Sequence, residues 1–284
     1  MISGRARLAG VIGWPVSHSL SPLLHGHWLA EYAIDGAYVP LPVAREDLSG
    51  AIDGLQLCGF RGVSVTVPHK EAAFALAHTH DEASRATGAA NLLVFEADGK
   101  IAARNTDSLG LAASLIQSLG KSALRSKPAV VLGAGGAARA AVRALDTIGV
   151  SEIRVLNRNA ARAEALVREF AGRTSAKLAG APLDLWPKGA ERSAILVNAT
   201  SGGMSGNSLD LSLEGTGSPV FCELVYSPRE TPLLKEARKR GLRTVDGLGM
   251  LMHQAVPAFE AFFGQRPSVT VELRRVLEKA LENG

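Results

Sequence analysis

A glycine-rich loop is the pattern with the clearest chemistry in this 284-residue chain. The segment GAGGAA at 133–138 fits G-x-G-x-x-A, follows an apolar run and precedes an alanine-rich stretch of helical composition. In that setting the first glycine permits a tight turn, the second lets the backbone approach a pyrophosphate, and the helix N-terminus supplies amide donors. The loop predicts a dinucleotide site, with a glycine turn that binds nothing as the alternative. The residues assigned to it are Gly133, Ala134, Gly135, Gly136 and Ala137.

The residues after the next predicted strand favour one dinucleotide over the other. In NAD-binding domains of this kind an acidic residue about 20 positions further on binds the ribose hydroxyls. Here Asn157 is followed by Arg158, and Arg162 comes soon after, with no carboxylate between them. Guanidinium groups pair with a 2′-phosphate, which a carboxylate would repel. The chain is predicted to bind NADP; the alternative is that both arginines are ordinary exposed residues around a helix capped by Asn159.

Polar residues in the first 107 positions could bind and transform an anionic small molecule. Ser21 precedes a proline, so it either caps a helix or joins Ser19 in binding a carboxylate or phosphate. Lys70 comes just past an apolar strand, where ligands bind in open α/β sheets and where a helix dipole disfavours a cation. Asp107 is either a helix cap or the partner that holds Lys70 and tunes its protonation for acid/base work.

Composition excludes several classes of protein. A hydrophobic fraction of 46%, a charged fraction of 20% and a mean hydropathy of +0.12 are ordinary for a folded chain and argue against disorder or a coiled coil. The net charge is only +4, and the densest basic run, 235–243, is typical of a helix end, so no nucleic-acid partner is expected. We expect neither a signal peptide nor a membrane span, and the two cysteines and seven histidines form no metal motif. We expect a cytoplasmic protein without a metal.

Short apolar runs alternate with segments of helical period, and this alternation predicts the elements that position the polar residues. A D-G turn at 98–99 joins two runs as a hairpin, whereas the other runs are separated by helix-length segments, which imply parallel pairing. The predicted strands lie at 8–13, 38–43, 62–67, 91–95, 100–103, 129–132, 152–156, 194–198, 220–225 and 243–245. The predicted helices lie at 23–32, 46–57, 107–119, 137–148, 160–170, 232–240, 248–263 and 269–281.

These elements predict an α/β fold of two domains. A mostly parallel α/β substrate domain spans 1–106 and is completed by C-terminal helices at 249–284. A Rossmann-like NADP-binding domain spans 107–248. We expect the active site in the cleft between the two.

The ordered motifs resemble the shikimate dehydrogenase family over nearly the whole chain. They are GWPVSHSLSP at 13–22, VTVPHK at 65–70, GAAN at 88–91, NTD at 105–107, NR at 157–158, NAT at 198–200, YSP at 226–228 and DGLGML at 246–251 with Gln254. The resemblance implies the NADP-linked interconversion of 3-dehydroshikimate and shikimate, a step toward chorismate and the aromatic amino acids.

The resemblance also implies roles for individual residues. Lys70 and Asp107 are the implied catalytic residues, and both also contact substrate. Further substrate contacts are implied for Ser19, Ser21, Thr66, Asn91, Tyr226 and Gln254. Besides the glycine loop, the implied cofactor contacts are Asn157, Arg158, Arg162, Thr200 and Gly247. The expected partners are small molecules only, and the chain is a monomer or a homodimer.

Three positions depart from the family pattern: Ser108 stands for a glycine, Leu92 for a threonine and Glu223 for an aspartate. None removes a proposed catalytic group, but they leave two alternatives open. One is a quinate/shikimate dehydrogenase of broader substrate and cofactor use, which Arg158 disfavours because it favours NADP. The other is a non-catalytic shikimate-binding paralogue, which the intact Lys70 disfavours because it is the implied catalytic lysine.

Overall fold

The computed structural model describes residues 2–200, 202 and 211–283, and the chain divides into two compact units. Unit 1 consists of residues 1–107 and 254–284, and unit 2 of residues 108–253. The chain thus returns to unit 1 at 254.

Unit 1 contains a mixed sheet of six strands in the order β2-β1-β3-β5-β6-β4. Its elements before residue 107 are β1 (Arg7–Gly13), α1 (Ser21–Glu31), β2 (Gly36–Pro42), α2 (Leu48–Leu57), β3 (Phe60–Val65), α3 (Lys70–Leu76), β4 (Thr79–His80), α4 (Glu82–Thr87), β5 (Leu92–Phe95) and β6 (Ile101–Arg104). The predicted hairpin is confirmed, because β5 and β6 pair antiparallel. Strand β5 also pairs antiparallel with β3, so the carboxyl ends of β3 and β6 lie at the same edge.

Unit 2 contains a fully parallel sheet in the order β12-β11-β10-β7-β8-β9. Its elements are α5 (Asp107–Leu119), whose first residue belongs to unit 1, β7 (Pro128–Leu132), α6 (Gly136–Ile148), β8 (Glu152–Asn157), α7 (Ala160–Phe170), β9 (Lys177–Pro182), β10 (Ile195–Asn198), β11 (Val220–Glu223), α8 (Pro232–Lys239), β12 (Thr244–Val245) and the part of α9 (Gly247–Phe263) up to His253. Two short 3₁₀ turns precede β10. This strand order is that of the doubly wound dinucleotide fold, in which the order reverses between the first and fourth strands, here β7 and β10. The predicted α/β class is confirmed.

Apolar packing explains both units. In unit 2 the strand residues Val131, Val155 and Val197 are fully buried, and the alanines of α6 let that helix lie close to the sheet. In unit 1 the C-terminal part of α9 packs its aromatic rings against α1, with the ring centroids of Trp28 and Phe259 5.3 Å apart. The last helix, α10 (Val271–Asn283), closes unit 1.

Candidate functional site

A lysine and an aspartate meet at the carboxyl edge of the unit 1 sheet. Lys70 is the first residue of α3, just past β3, and Asp107 comes just past β6. Lys70 Nζ donates to Asp107 Oδ2 at 2.5 Å, and the two side chains are only 27% and 10% exposed. The structure therefore places Asp107 as the partner of Lys70, one of the two roles that the sequence allowed. A half-buried pair of this kind can hold an ammonium toward a bound molecule and exchange a proton with it.

The Asn91 amide fixes the second carboxylate oxygen of that aspartate. Asn91 is buried, and its Nδ2 lies 2.8 Å from Asp107 Oδ1, 2.9 Å from Thr106 Oγ1 and 3.1 Å from Gln254 Oε1. Its Oδ1 accepts the Thr106 backbone N–H at 2.8 Å. Four of the predicted residues are thus joined by direct hydrogen bonds: Lys70, Asp107, Asn91 and Gln254.

Two residues in this cluster were not assigned as site residues from the sequence. The Thr106 hydroxyl donates to the Gln254 carbonyl at 2.8 Å. The Asn105 side chain accepts the Asp107 backbone N–H at 3.1 Å and donates to the Ala89 carbonyl at 2.9 Å. Both residues hold the backbone from which the reactive side chains project. The only sequence signal for them was their place in the Asn-Thr-Asp run.

Ser21 does not cap helix α1, so the interpretation of Ser21 as an N-cap is wrong. The N-cap is Leu20, whose helical backbone makes Ser21 the first helical residue, and the side chain of Leu20 has no polar atom to accept a first-turn N–H. Ser19 Oγ instead accepts the Ser21 backbone N–H at 3.3 Å. Because Leu20 provides no cap and Ser19 accepts only the Ser21 N–H, the N-terminus of α1 keeps further amide donors and positive potential for an anion.

Thr66 is held at the same edge by a close approach to β1. Its backbone N–H donates to the Ile12 carbonyl at 2.9 Å. A Cβ on Gly13 would lie 2.5 Å from Thr66 Cγ2, so any larger residue at that position would displace the Thr66 side chain. The Gly13 hydrogen thus leaves room for the Thr66 side chain.

The glycine loop of unit 2 has the form that a dinucleotide requires. Gly133 has a φ of +106°, and a Cβ there would lie 3.1 Å from the Ala199 carbonyl oxygen and 3.2 Å from Thr200 Cγ2. Helix α6 has Gly135 as its N-cap, with no side-chain hydrogen bond to the first turn. A Cβ on Gly135 or Gly136 would meet nothing within 4 Å. Open space over free helix amides fits a pyrophosphate.

The two arginines lie where the second strand of unit 2 ends. Arg158 and Arg162 are exposed, and within the described part of the chain neither guanidinium has an ion-pair or hydrogen-bond partner. Asn159 caps α7 by accepting the Arg162 backbone N–H at 3.4 Å, and Asn157 Nδ2 donates to the Asn159 carbonyl at 2.9 Å. The cap uses only the backbone of Arg162, so both guanidinium groups are available to a phosphate.

The other predicted residues of unit 2 follow its strand ends. Thr200 donates its backbone N–H and its hydroxyl to Asn198 Oδ1, at 3.2 and 2.8 Å. Gly247 begins α9, and a Cβ there would lie 2.4 Å from the Leu224 carbonyl oxygen. Tyr226, a predicted substrate contact, follows β11 in unit 2, whereas the predicted substrate contacts Ser19 and Ser21 belong to unit 1.

Two further properties hold for residues 2–200, 202 and 211–283. No helix there combines the length and the hydrophobicity needed to cross a bilayer. No three His, Cys, Asp or Glu side chains are grouped there so as to hold a metal ion.

Comparison with known proteins assigns the chain to a family. Three family models match: the shikimate dehydrogenase substrate binding domain at residues 11–93, shikimate / quinate 5-dehydrogenase at 114–204 and the shikimate 5′-dehydrogenase C-terminal domain at 247–277. A Rhodospirillum rubrum protein named shikimate dehydrogenase (NADP(+)) is 49% identical over 276 residues, which cover 96% of this chain and 98% of that protein. The chain belongs to the shikimate dehydrogenase family.

Solved structures of the family have the same fold. The shikimate 5-dehydrogenase of Thermus thermophilus, in complex with NADP(H) and shikimate, has a TM-score of 0.83 and 34% identity, over 98% of this chain and 99% of that one. The quinate dehydrogenase of Corynebacterium glutamicum, in complex with NAD, has a TM-score of 0.83 and 30% identity, again over 98% and 99%. The fold alone therefore does not choose between these substrates and cofactors, and that choice depends on individual residues.

Proposed function

We propose that this chain catalyses the NADP-linked interconversion of 3-dehydroshikimate and shikimate. Relatives with 48 to 50% identity over at least 94% of the chain are named shikimate dehydrogenase (NADP(+)). The observation that carries the proposal is the Lys70–Asp107 pair, 2.5 Å apart and hydrogen-bonded onward to Asn91. A protein that only bound shikimate would not need a proton donor held in this way.

Lys70 is the proposed proton donor and acceptor. In reduction the bound cofactor supplies a hydride to the ketone carbon, and the ketone oxygen then needs one proton. Asp107 accepts one N–H of the Lys70 ammonium, and the other N–H groups of that ammonium stay free for the ketone oxygen. In oxidation neutral Lys70 takes the hydroxyl proton back. Asn91 keeps the carboxylate of Asp107 oriented toward Lys70.

The substrate contacts follow from the same edge of unit 1. The uncapped start of α1, with Ser19 and Ser21, suits the carboxylate. Thr66, Asn91 and Gln254 suit the ring hydroxyls, and Tyr226 is a further proposed substrate contact. The Asn91 amide has two hydrogens for three acceptors, and its 3.1 Å contact to Gln254 is the longest, so it is the one that a substrate hydroxyl can replace.

The cofactor contacts lie in unit 2. The backbone of the loop at 133–137 suits the pyrophosphate, and Arg158 and Arg162, next to Asn157, suit the 2′-phosphate. Thr200 and Gly247 are the remaining proposed contacts. The partners are thus small molecules. A cytoplasmic location and a monomeric or homodimeric state stay predictions from the sequence.

Replacement of Lys70 tests the proposed chemistry. Lys70→Met should lower kcat by about 10²- to 10⁴-fold, the usual contribution of acid/base catalysis, while the Kd for shikimate changes less than about tenfold. The matched control is Lys100→Met, because Lys100 also pairs with an aspartate, Asp98 at 2.6 Å, but on an exposed turn of the same unit. Equal losses of turnover and of shikimate binding in Lys70→Met would show that Lys70 only binds substrate.

A further inference from the structure

A buried carboxylate stands at the carboxyl edge of the unit 2 sheet, outside every role given above. Glu223 is the last residue of β11 and is fully buried. Removal from water raises the pKa of Glu223, and hydrogen bonds to its oxygens act in the opposite direction. The side chains that hydrogen-bond to it are uncharged, those of Asn198 and Thr231. A carboxyl group in such a place is costly unless its hydrogen-bonding capacity is used.

Glu223 joins three segments at this edge. Its Oε2 lies 2.9 Å from Asn198 Nδ2 and 2.8 Å from Thr231 Oγ1, and its Oε1 accepts the Val225 backbone N–H at 3.1 Å. Thr231 Oγ1 in turn accepts the Leu234 backbone N–H at 3.2 Å, as the N-cap of α8. An ionised carboxylate only accepts hydrogen bonds, so these donors all suit the charged form.

The contact with Asn198 reaches the glycine loop. In the sheet register Asn198 pairs with Glu223 on one side and with Leu132 on the other, so the ends of β11, β10 and β7 lie side by side. Because Glu223 takes the NH₂ of the Asn198 amide, the Oδ1 of that amide faces Thr200, whose N–H and hydroxyl it accepts. Ala199 and Thr200 are the residues that pack against Gly133.

We propose that Glu223 is a positioning residue for the cofactor: as a carboxylate it sets the orientation of the Asn198 amide and so holds residues 199–200 against the glycine loop. This inference rests on the proposed function, because it assumes that the loop binds NADP. Glu223 itself is fully buried and acts only through Asn198. Its effect should fall on the side of the site that binds the pyrophosphate, which NADP and NAD share.

The test compares Glu223→Leu with Glu223→Asp. Leucine has no acceptor, so the Asn198 NH₂ loses its partner and the orientation of that amide is no longer set. We expect the Kd for NADP and the Kd for NAD, both by titration calorimetry, to rise by the same factor of about ten or more. Glu223→Asp keeps a pure acceptor and should stay within about threefold of the wild type. Hydrogen exchange of the Thr200 amide should speed up in Glu223→Leu only.

Asp146→Asn is the matched control for a general loss of stability. Asp146 also accepts backbone N–H groups in unit 2, those of Ser175 at 2.8 Å and Ala176 at 3.0 Å. It lies near the C-terminal end of α6, whereas the glycine loop is at the N-terminal end of that helix. Asp146→Asn should lower the Tm without changing either Kd.

The outcomes separate this inference from the proposed function. If wild type binds no NADP, the proposed function fails. If wild type binds NADP and Glu223→Leu binds it equally well, or if Leu and Asp lose affinity equally, the positioning role is refuted. If Glu223→Leu does not fold, Glu223→Asp decides: retained affinity supports the role, and a loss of more than tenfold overturns it.

Discussion

The cofactor choice is the property that most depends on individual side chains, and Arg158→Ala tests it. Both Arg158 and Arg162 are exposed and without partners among the described residues, so each can pair with a phosphate without first breaking another contact. A hydrogen bond to a charged group contributes about 1.5 to 3 kcal/mol, and exposure favours the lower value. That lower value corresponds to about a tenfold rise in the KM for NADP. The double variant with Arg162→Ala should reach about 100-fold if the two effects add.

The same substitutions should leave the KM for NAD within about twofold. Asn159 caps α7 through the Arg162 backbone N–H, which alanine retains, so the strand end and the helix start keep their form. The assay is the initial rate of cofactor reduction at saturating shikimate, with each cofactor varied and the salt concentration raised in steps. The NADP advantage of the wild type should shrink with salt, because exposed charges are screened.

Arg168→Ala is the control for these variants. Arg168 is another exposed arginine of α7, paired only loosely with Glu164 at 3.7 Å. It should change neither KM. A loss of the same size for NAD and NADP in Arg158→Ala would refute the reasoning, since it would mean that the arginine supports the local fold rather than the 2′-phosphate.

Two further substitutions test unit 1. Burial lowers the pKa of His25 from 6.5 to about 3, so the folded state stays neutral while the unfolded state takes up a proton. The free energy of unfolding, measured by urea titration, should therefore fall by about 2 to 3 kcal/mol as the pH is lowered from 7.5 to 4.5. His25→Phe keeps the ring stack on Tyr38 and should weaken this pH dependence. An unchanged pH dependence in that variant would exclude His25 as its source. Gly13→Ala should raise the KM for shikimate several-fold with little change for NADP, because a Cβ there displaces Thr66; equal changes would indicate a general loss of structure.

Elements with a clear local signal in their own sequence, such as an apolar period or a capping residue, were predicted well. Helices α5 and α7 have the predicted bounds, because an apolar period defines both and Asn159 caps the second. The strand β9 was missed: its sequence KLAGAP lacks β-branched residues and holds Gly180 and Pro182, and its pairing with β8 places it in the sheet. The two-residue strand β4 was also missed, because it is short and depends on pairing with β6.

The site was predicted in part. Lys70 and Asp107 could be paired from the sequence because both follow strands of one sheet, and carboxyl ends of parallel strands share an edge. The roles of Thr106 and Glu223 could not be predicted from the sequence, because they depend on the register of the strands and, for Glu223, on the orientation of the Asn198 amide. The misassigned cap at Ser21 has a local cause: Leu20 already has a helical backbone, so the helix begins one residue before the proline.

The assignment of substrate and cofactor can be tested by offering the purified protein shikimate and quinate, each with NADP and with NAD, and following the reduced cofactor by absorbance. We predict rapid reduction with shikimate and NADP, and slow or no reduction with the other three pairs. A preference for quinate or for NAD would contradict the substrate or the cofactor assignment. No turnover with any pair, in a protein that still binds shikimate, would contradict the catalytic role of Lys70 and Asp107.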